Sequence, residues 1–154
     1  METDMETMPY MSVEADATLV LMDEDKQIRT CLLTKKRRWS FGRETATVHP
    51  DIPVRSGIVS RDHGEFACVD GQWFYLDHGG KNGTFVNGVK APAGRGKRLY
   101  PMLLNNGDIL RVDYSDLGNP DLRAVWILFL TEKITDEHEA AEAFRRRVSM
   151  EADA

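Results

Sequence analysis

The stretch Glu65-Phe66-Ala67-Cys68-Val69, Asp70-Gly71, Gln72-Trp73-Phe74-Tyr75-Leu76 reads as strand, turn, strand. Its apolar and aromatic residues suit a pleated, half-buried surface. Asp-Gly supplies the two left-handed residues of a tight hairpin turn. Working outward, Thr84-Phe85-Val86 runs into a second such dipeptide, Asn87-Gly88. Upstream, Ala17-Thr18-Leu19-Val20-Leu21-Met22 and Ile28-Arg29-Thr30-Cys31-Leu32-Leu33 flank the charged turn Asp23-Glu24-Asp25-Lys26, and Trp39-Ser40-Phe41 ends at Gly42-Arg43. Downstream, Asn105-Asn106-Gly107 precedes Asp108-Ile109-Leu110-Arg111-Val112. The apolar run from Ala124 to Leu130 does not alternate, so it is expected to be buried on both faces. Short strands at regular spacing with turn signals between them predict an all-β chain folded as an antiparallel β-sandwich.

Only the end of the chain has helical character. Asp136 and Glu139 stand at capping-box spacing, acids open the segment, and Arg145, Arg146 and Arg147 close it. A short C-terminal helix is expected over 136–148, with Ala141, Phe144 and Val148 as its apolar stripe. Residues 1–16 are polar, Met-rich and aperiodic and read as a flexible acidic N-terminal arm. The expected organisation is therefore an arm over 1–16, a sandwich over 17–131, and a helix and tail over 132–154.

The chain has 154 residues, 42% hydrophobic and 29% charged, ordinary values for one globular domain. Its net charge of -5 is unevenly spread. Residues 1–16 carry five acids and no Lys or Arg, and residues 132–154 carry seven acids against four bases. The body between them holds 16 bases and 13 acids, with twelve bases and six acids from Lys35 to Arg98. A basic body with acidic ends suits an anionic partner. The longest apolar run is far too short to cross a membrane, and the acidic N-terminus does not look like a secretion signal. Cys31 and Cys68 read as buried thiols, and a cytoplasmic setting is expected. His49, His78 and His138 are dispersed without ligand spacing, so neither metal nor cofactor is expected. Trp39, Trp73 and Trp126 read as core or rim aromatics. No serine lies in Gly-x-Ser-x-Gly, and Gly79-Gly80-Lys81-Asn82-Gly83-Thr84 lacks the spacing of a nucleotide-phosphate loop, so an enzyme is not expected.

Three fragments fall between strands: Phe41-Gly42-Arg43, then Ser60-Arg61-Asp62-His63-Gly64, then Asn82-Gly83-Thr84-Phe85-Val86-Asn87-Gly88. Together with the adjoining Lys81 they offer the cations Arg43, Arg61 and Lys81, the hydroxyls of Ser60 and Thr84, and the amides of Asn82 and Asn87. A dianionic phosphate takes this set, because each of its oxygens accepts several charge-assisted hydrogen bonds. The ordered series Gly-Arg, Ser-Arg-x-His, Asn-Gly-Thr-x-x-Asn-Gly resembles the forkhead-associated (FHA) domain, a phosphothreonine-binding module with an FHA/SMAD-like sandwich fold. The motifs span Trp39 to Gly88, and the flanking strands extend the likeness to Ala17–Thr131.

The resemblance implies specific roles. Arg43 reaches the phosphate, Ser60 donates its hydroxyl, and Arg61 donates through its side chain or backbone N–H. Asn82 holds the peptide main chain. Gly42, His63, Gly83, Thr84, Asn87 and Gly88 support the site. Lys81 stands where the family often has a small hydroxyl residue; it either adds a third cation or points to solvent. The loop Glu44 to Pro50 is longer than usual and is expected to flank the groove. The basic, Gly/Pro-rich segment Ala91 to Arg98 corresponds to a loop that helps select the residue three places after the phosphothreonine, for which an acid is expected.

The partner implied is a phosphothreonine-containing protein or peptide in a Ser/Thr kinase pathway. Competing readings are a sandwich that has lost phosphate binding and serves as a phospho-independent scaffold, and a nucleic-acid binder using the 35–98 surface, which the acidic ends disfavour. In the tails, Arg146-Arg147-Val148-Ser149 resembles a basophilic kinase substrate. Thr3 or Thr7, if phosphorylated, would let the arm bind the chain's own site.

Overall fold

Asp70 and Gly71 take φ values of 53° and 79°, and Asn87 and Gly88 take 51° and 82°. Both dipeptides thus turn the chain through paired left-handed residues, as a two-residue hairpin requires. The computed structural model describes residues 15–114 and 123–152. The arm expected before them, with Thr3 and Thr7, lies outside the described residues over 1–14.

Eleven strands and one helix follow in order: β1 (Ala17–Met22), β2 (Ile28–Leu33), β3 (Arg38–Arg43), β4 (Ile52–Val54), β5 (Gly64–Val69), β6 (Gln72–Asp77), β7 (Gly83–Val86), β8 (Val89–Lys90), β9 (Met102–Leu103), β10 (Ile109–Asp113), β11 (Val125–Leu130) and α1 (Glu137–Ala152). One sheet runs β2-β1-β11-β10-β7-β8 and the other β4-β3-β5-β6-β9. The expected sandwich is present with one departure: β3 and β4 are parallel, Phe41 facing Ile52 and Arg43 facing Val54. β4, β8 and β9 were not expected, because two or three residues carry no periodicity.

The core forms where the two inward faces meet. Phe41, Phe66 and Tyr75 pack edge to face, with ring centroids 6.3 and 5.3 Å apart. β11 lies in the centre of its sheet, and its two-sided burial has a simple cause. Val125, Ile127 and Phe129 face the sandwich core, while Trp126, Leu128 and Leu130 face α1.

Asp136 caps that helix, its Oδ1 accepting the N–H groups of His138 and Glu139 at 2.9 and 3.1 Å. α1 runs beyond the expected 136–148. Its buried stripe is Ala140 and Phe144, with Ala143 and Val148 beside them; Ala141 is only half-buried. Arg147 fixes the far end: its guanidinium donates to Gly107 O at 3.0 Å and Asn87 Oδ1 at 2.9 Å and pairs with Glu151 at 3.1 Å. Those contacts are what extend the helix past the point where its apolar periodicity fades.

Candidate phosphate-binding site

β3 ends at Arg43, and the parallel β4 leads into the loop 55–63 beside it. Gly42 is required at this join: a Cβ there would stand 2.1 Å from Arg61 O. The close approach lets the Arg43 N–H donate to Ser60 O at 3.0 Å and its Nε–H to Val59 O at 3.0 Å. The terminal nitrogens of Arg43 have no carboxylate partner among the described residues.

The loop Gly79 to Asn82 closes on the same segment from the other side. The Lys81 N–H donates to Ser60 Oγ at 3.2 Å, which leaves the Ser60 hydroxyl proton to donate elsewhere. Asn82 Nδ2 donates to Ile58 O at 2.9 Å, fixing the amide while its carbonyl and second N–H remain available. The structure thus brings Arg43, Ser60, Lys81 and Asn82 around one loop. Arg61 is exposed at its apex, as is the Lys81 side chain.

Beneath them lies a buried polar network. The Ser60 N–H donates to His63 Nδ1 at 3.1 Å, so the proton of the neutral ring sits on Nε2 and is donated to Thr84 Oγ1 at 3.0 Å. Thr84 donates to Asp77 Oδ1 at 3.2 Å, and the Tyr75 hydroxyl lies 2.9 Å from Thr84 Oγ1 and 3.2 Å from Asp77 Oδ1. His63 and Tyr75 are fully buried. Burial holds the His63 pKa below its ordinary value, against the pull of Asp77, and burial pushes the Tyr75 hydroxyl well above its own. Both groups therefore stay uncharged and hold the loop through hydrogen bonds rather than charge.

A second brace is solvent-facing. His78 bridges Asp62 Oδ1 at 2.6 Å and Glu65 Oε1 at 3.0 Å, and Arg38 holds Glu65 through Nε and a terminal nitrogen at 2.6 and 2.7 Å. Burial alone would lower the His78 pKa, but the hydrogen bonds to Glu65 and Asp62 outweigh it and raise it. Asn87 and Gly88 lie at the opposite end of β7. There Asn87 ties to Asp108 Oδ1 at 2.9 Å, to the Ile109 N–H at 3.0 Å and to Arg147, so it shapes the hairpin rather than the site. Gly83 is covered by the Lys90 stem.

Sequence reasoning missed Tyr75, Asp77, His78 and Asp62. A signal existed for two of them: Tyr75 and Asp77 fall in phase with the inward-facing Trp73 of β6, where a hydroxyl or a carboxylate needs buried partners. Among the described residues, no group of three or more His, Cys, Asp or Glu is placed to hold a metal ion.

Residues 39–113 match the family model for the FHA domain. The N-terminal FHA domain of Rad53p from S. cerevisiae, solved in complex with a phosphothreonine peptide, superposes with a TM-score of 0.57 at 19% identity over 75% of this chain and 94% of that one. Full-length yeast Pml1p superposes with a TM-score of 0.59 at 24% identity over 81% and 90% of the two chains. A probable E3 ubiquitin-protein ligase, dma1 of Schizosaccharomyces pombe, is 36% identical over 62 residues, which is 40% of this chain and 22% of that protein's length. Ordered motifs, sandwich topology and family match agree that residues 39–113 of this chain form an FHA domain.

Proposed function

We propose that the chain recognises phosphothreonine within an extended peptide and acts as a phosphorylation-dependent adaptor downstream of a Ser/Thr kinase. The observation that carries this reading is the convergence of Arg43, Ser60, Lys81 and Asn82 on the loop 58–63. Support also comes from the fold it shares with an FHA domain solved with a phosphothreonine peptide. FHA domains are binding modules, so the mechanism is one of binding. The terminal nitrogens of Arg43 and the side chain of Arg61 supply charge, Ser60 donates its hydroxyl, and Lys81 adds a third cation. Asn82, held by Ile58 O, presents its amide to the peptide main chain.

Because Arg43 and Ser60 are already fixed by internal hydrogen bonds, little ordering entropy is lost when the phosphate arrives. Hydrogen bonds to a charged group contribute about 1.5–3 kcal/mol each. Arg43→Ala is therefore expected to weaken a phosphothreonine peptide by at least about tenfold. Fluorescence anisotropy with phosphothreonine, phosphoserine and unphosphorylated versions of one peptide tests the reading. Phosphothreonine should bind tightest, and phosphoserine should bind several-fold more weakly for want of a methyl group worth about 1 kcal/mol. Equal binding of the phosphorylated and unphosphorylated peptides would favour a phospho-independent scaffold instead.

A further inference from the structure

The segment after β8 is basic, and the fold carries it to the site end of the sandwich. The Ala91 N–H donates to Thr84 O at 2.8 Å, and the Gly94 N–H donates to Asp77 O at 2.9 Å. Asp77 is also where the 79–82 loop departs, its Oδ2 accepting the Gly79 N–H at 3.1 Å. The two loops then touch backbone to backbone: a Cβ on Gly79, whose φ is 80°, would lie 2.4 Å from Gly94 O. One buried carboxylate residue thus sets the position of both loops.

Beyond Gly94 the chain makes a small closed turn. Arg95 and Arg98 exchange backbone hydrogen bonds at 2.9 and 3.0 Å across Gly96 and Lys97. Arg95, Lys97 and Arg98 are all exposed, and none has a carboxylate partner among the described residues. Three cations on a four-residue turn repel one another, and an anion that bridges them relieves that repulsion. Selecting a single acid at one peptide position needs only one cation. The turn carries three.

We propose that the Arg95–Arg98 turn is a second anion site, which takes several negative groups on one flank of the phosphothreonine and makes the chain selective for polyanionic phosphopeptides. The inference rests on the phosphopeptide reading above. The anions are either a run of Asp and Glu or a second phosphorylated residue, since both present the same charged oxygens to guanidinium groups.

The test is an anisotropy titration of the full chain with four kinds of phosphothreonine peptide. One has Gln flanks, one has Glu residues before the phosphothreonine, one has Glu residues after it, and one has Gln flanks with a second phosphoresidue. The proteins are the parent, the triple variant Arg95→Ser, Lys97→Ser, Arg98→Ser, and Arg43→Ala. The turn is exposed, so an unchanged Tm is expected for the triple variant. On the parent, one Glu-flanked peptide or the doubly phosphorylated peptide should bind about tenfold tighter than the Gln peptide. That gain should fall as salt rises. It should vanish in the triple variant, which still binds the Gln peptide like the parent. Which peptide gains identifies the source of the anions. No gain on the parent, or a gain that survives in the triple variant, overturns the second site alone. If the Gln peptide binds no better than its unphosphorylated form and Arg43→Ala changes nothing, the primary reading fails and takes the inference with it.

Discussion

At the scale of single residues, two histidines that share the sequence Asp-His-Gly have pKa values shifted in opposite directions. His63, buried with its Nδ1 accepting from Ser60, stays neutral below its ordinary pKa, whereas His78, gripped by Glu65 and Asp62, holds its proton above it. The consequences for stability have opposite signs. Unfolding lets His63 take up a proton more readily, so its term weakens the fold as pH falls from about 6.5 toward the lowered native value. The His78 term is fully present below about 6.5 and is lost as pH rises through the raised native value. NMR titration of the ring protons, assigned with single His→Gln variants, should give one midpoint above the ordinary value and one below it. The stability difference between the parent and His78→Gln should shrink as pH rises. A difference that grows with pH would refute the assignment. Thr84→Val keeps the shape but leaves His63 Nε2–H and Asp77 short of a partner, and is expected to cost about 1–3 kcal/mol in urea unfolding. Ser60, Arg43 and Asn82 were legible from their motifs. The phase of β6 places Tyr75 and Asp77 on its inward face, but their partners were not legible, because a buried polar partner is specified by cross-strand neighbours that no single segment contains.

At the scale of elements, the hairpins and long strands were readable because turn chemistry and two-residue periodicity are local. The parallel β3–β4 pair was not, since Ile52-Pro53-Val54 acquires its strand character only by lying beside Phe41-Gly42-Arg43. The unbroken apolar run of β11 predicts burial on both faces, and α1 is the cover on the second face. The helix also corrects its own expected stripe, because Ala140 rather than Ala141 faces Trp126 and Leu128. Truncating its fully buried anchor, Phe144→Ala, removes a large ring from that layer and is expected to cost about 3–5 kcal/mol by chemical denaturation. A cost near zero would mean that α1 is not docked. Arg147 is engaged by Gly107, Asn87 and Glu151. A basophilic kinase therefore meets the Arg146-Arg147-Val148-Ser149 motif with its second arginine committed. Arg147→Lys, which breaks the forked contact, should speed phosphorylation of Ser149 relative to the parent, read by mass spectrometry. An unchanged rate would show that docking of Arg147 does not protect the serine.

At the scale of the whole molecule, one end of a β-sandwich gathers Arg43, Ser60, Lys81 and Asn82, and α1 covers Trp126, Leu128 and Leu130 of β11 on the face away from the sandwich core. The FHA motifs could be read as an ordered series, and the structure supplies what the order alone lacked: the loop 58–63 is held between Arg43 and Asn82 over a buried hydrogen-bonded floor of His63, Thr84, Tyr75 and Asp77. Among the bases of the body, Lys81, Arg95, Lys97 and Arg98 are exposed on two loops that touch at Gly79 and Gly94. Backbone-amide NMR of the labelled chain, titrated with a phosphothreonine peptide and with the same peptide unphosphorylated, tests this arrangement most directly. The account predicts shift changes concentrated at Arg43, at Ser60 to His63 and at Lys81 to Thr84, with the phosphorylated peptide only. Shifts confined to the α1 face, or the same shifts with both peptides, would contradict it.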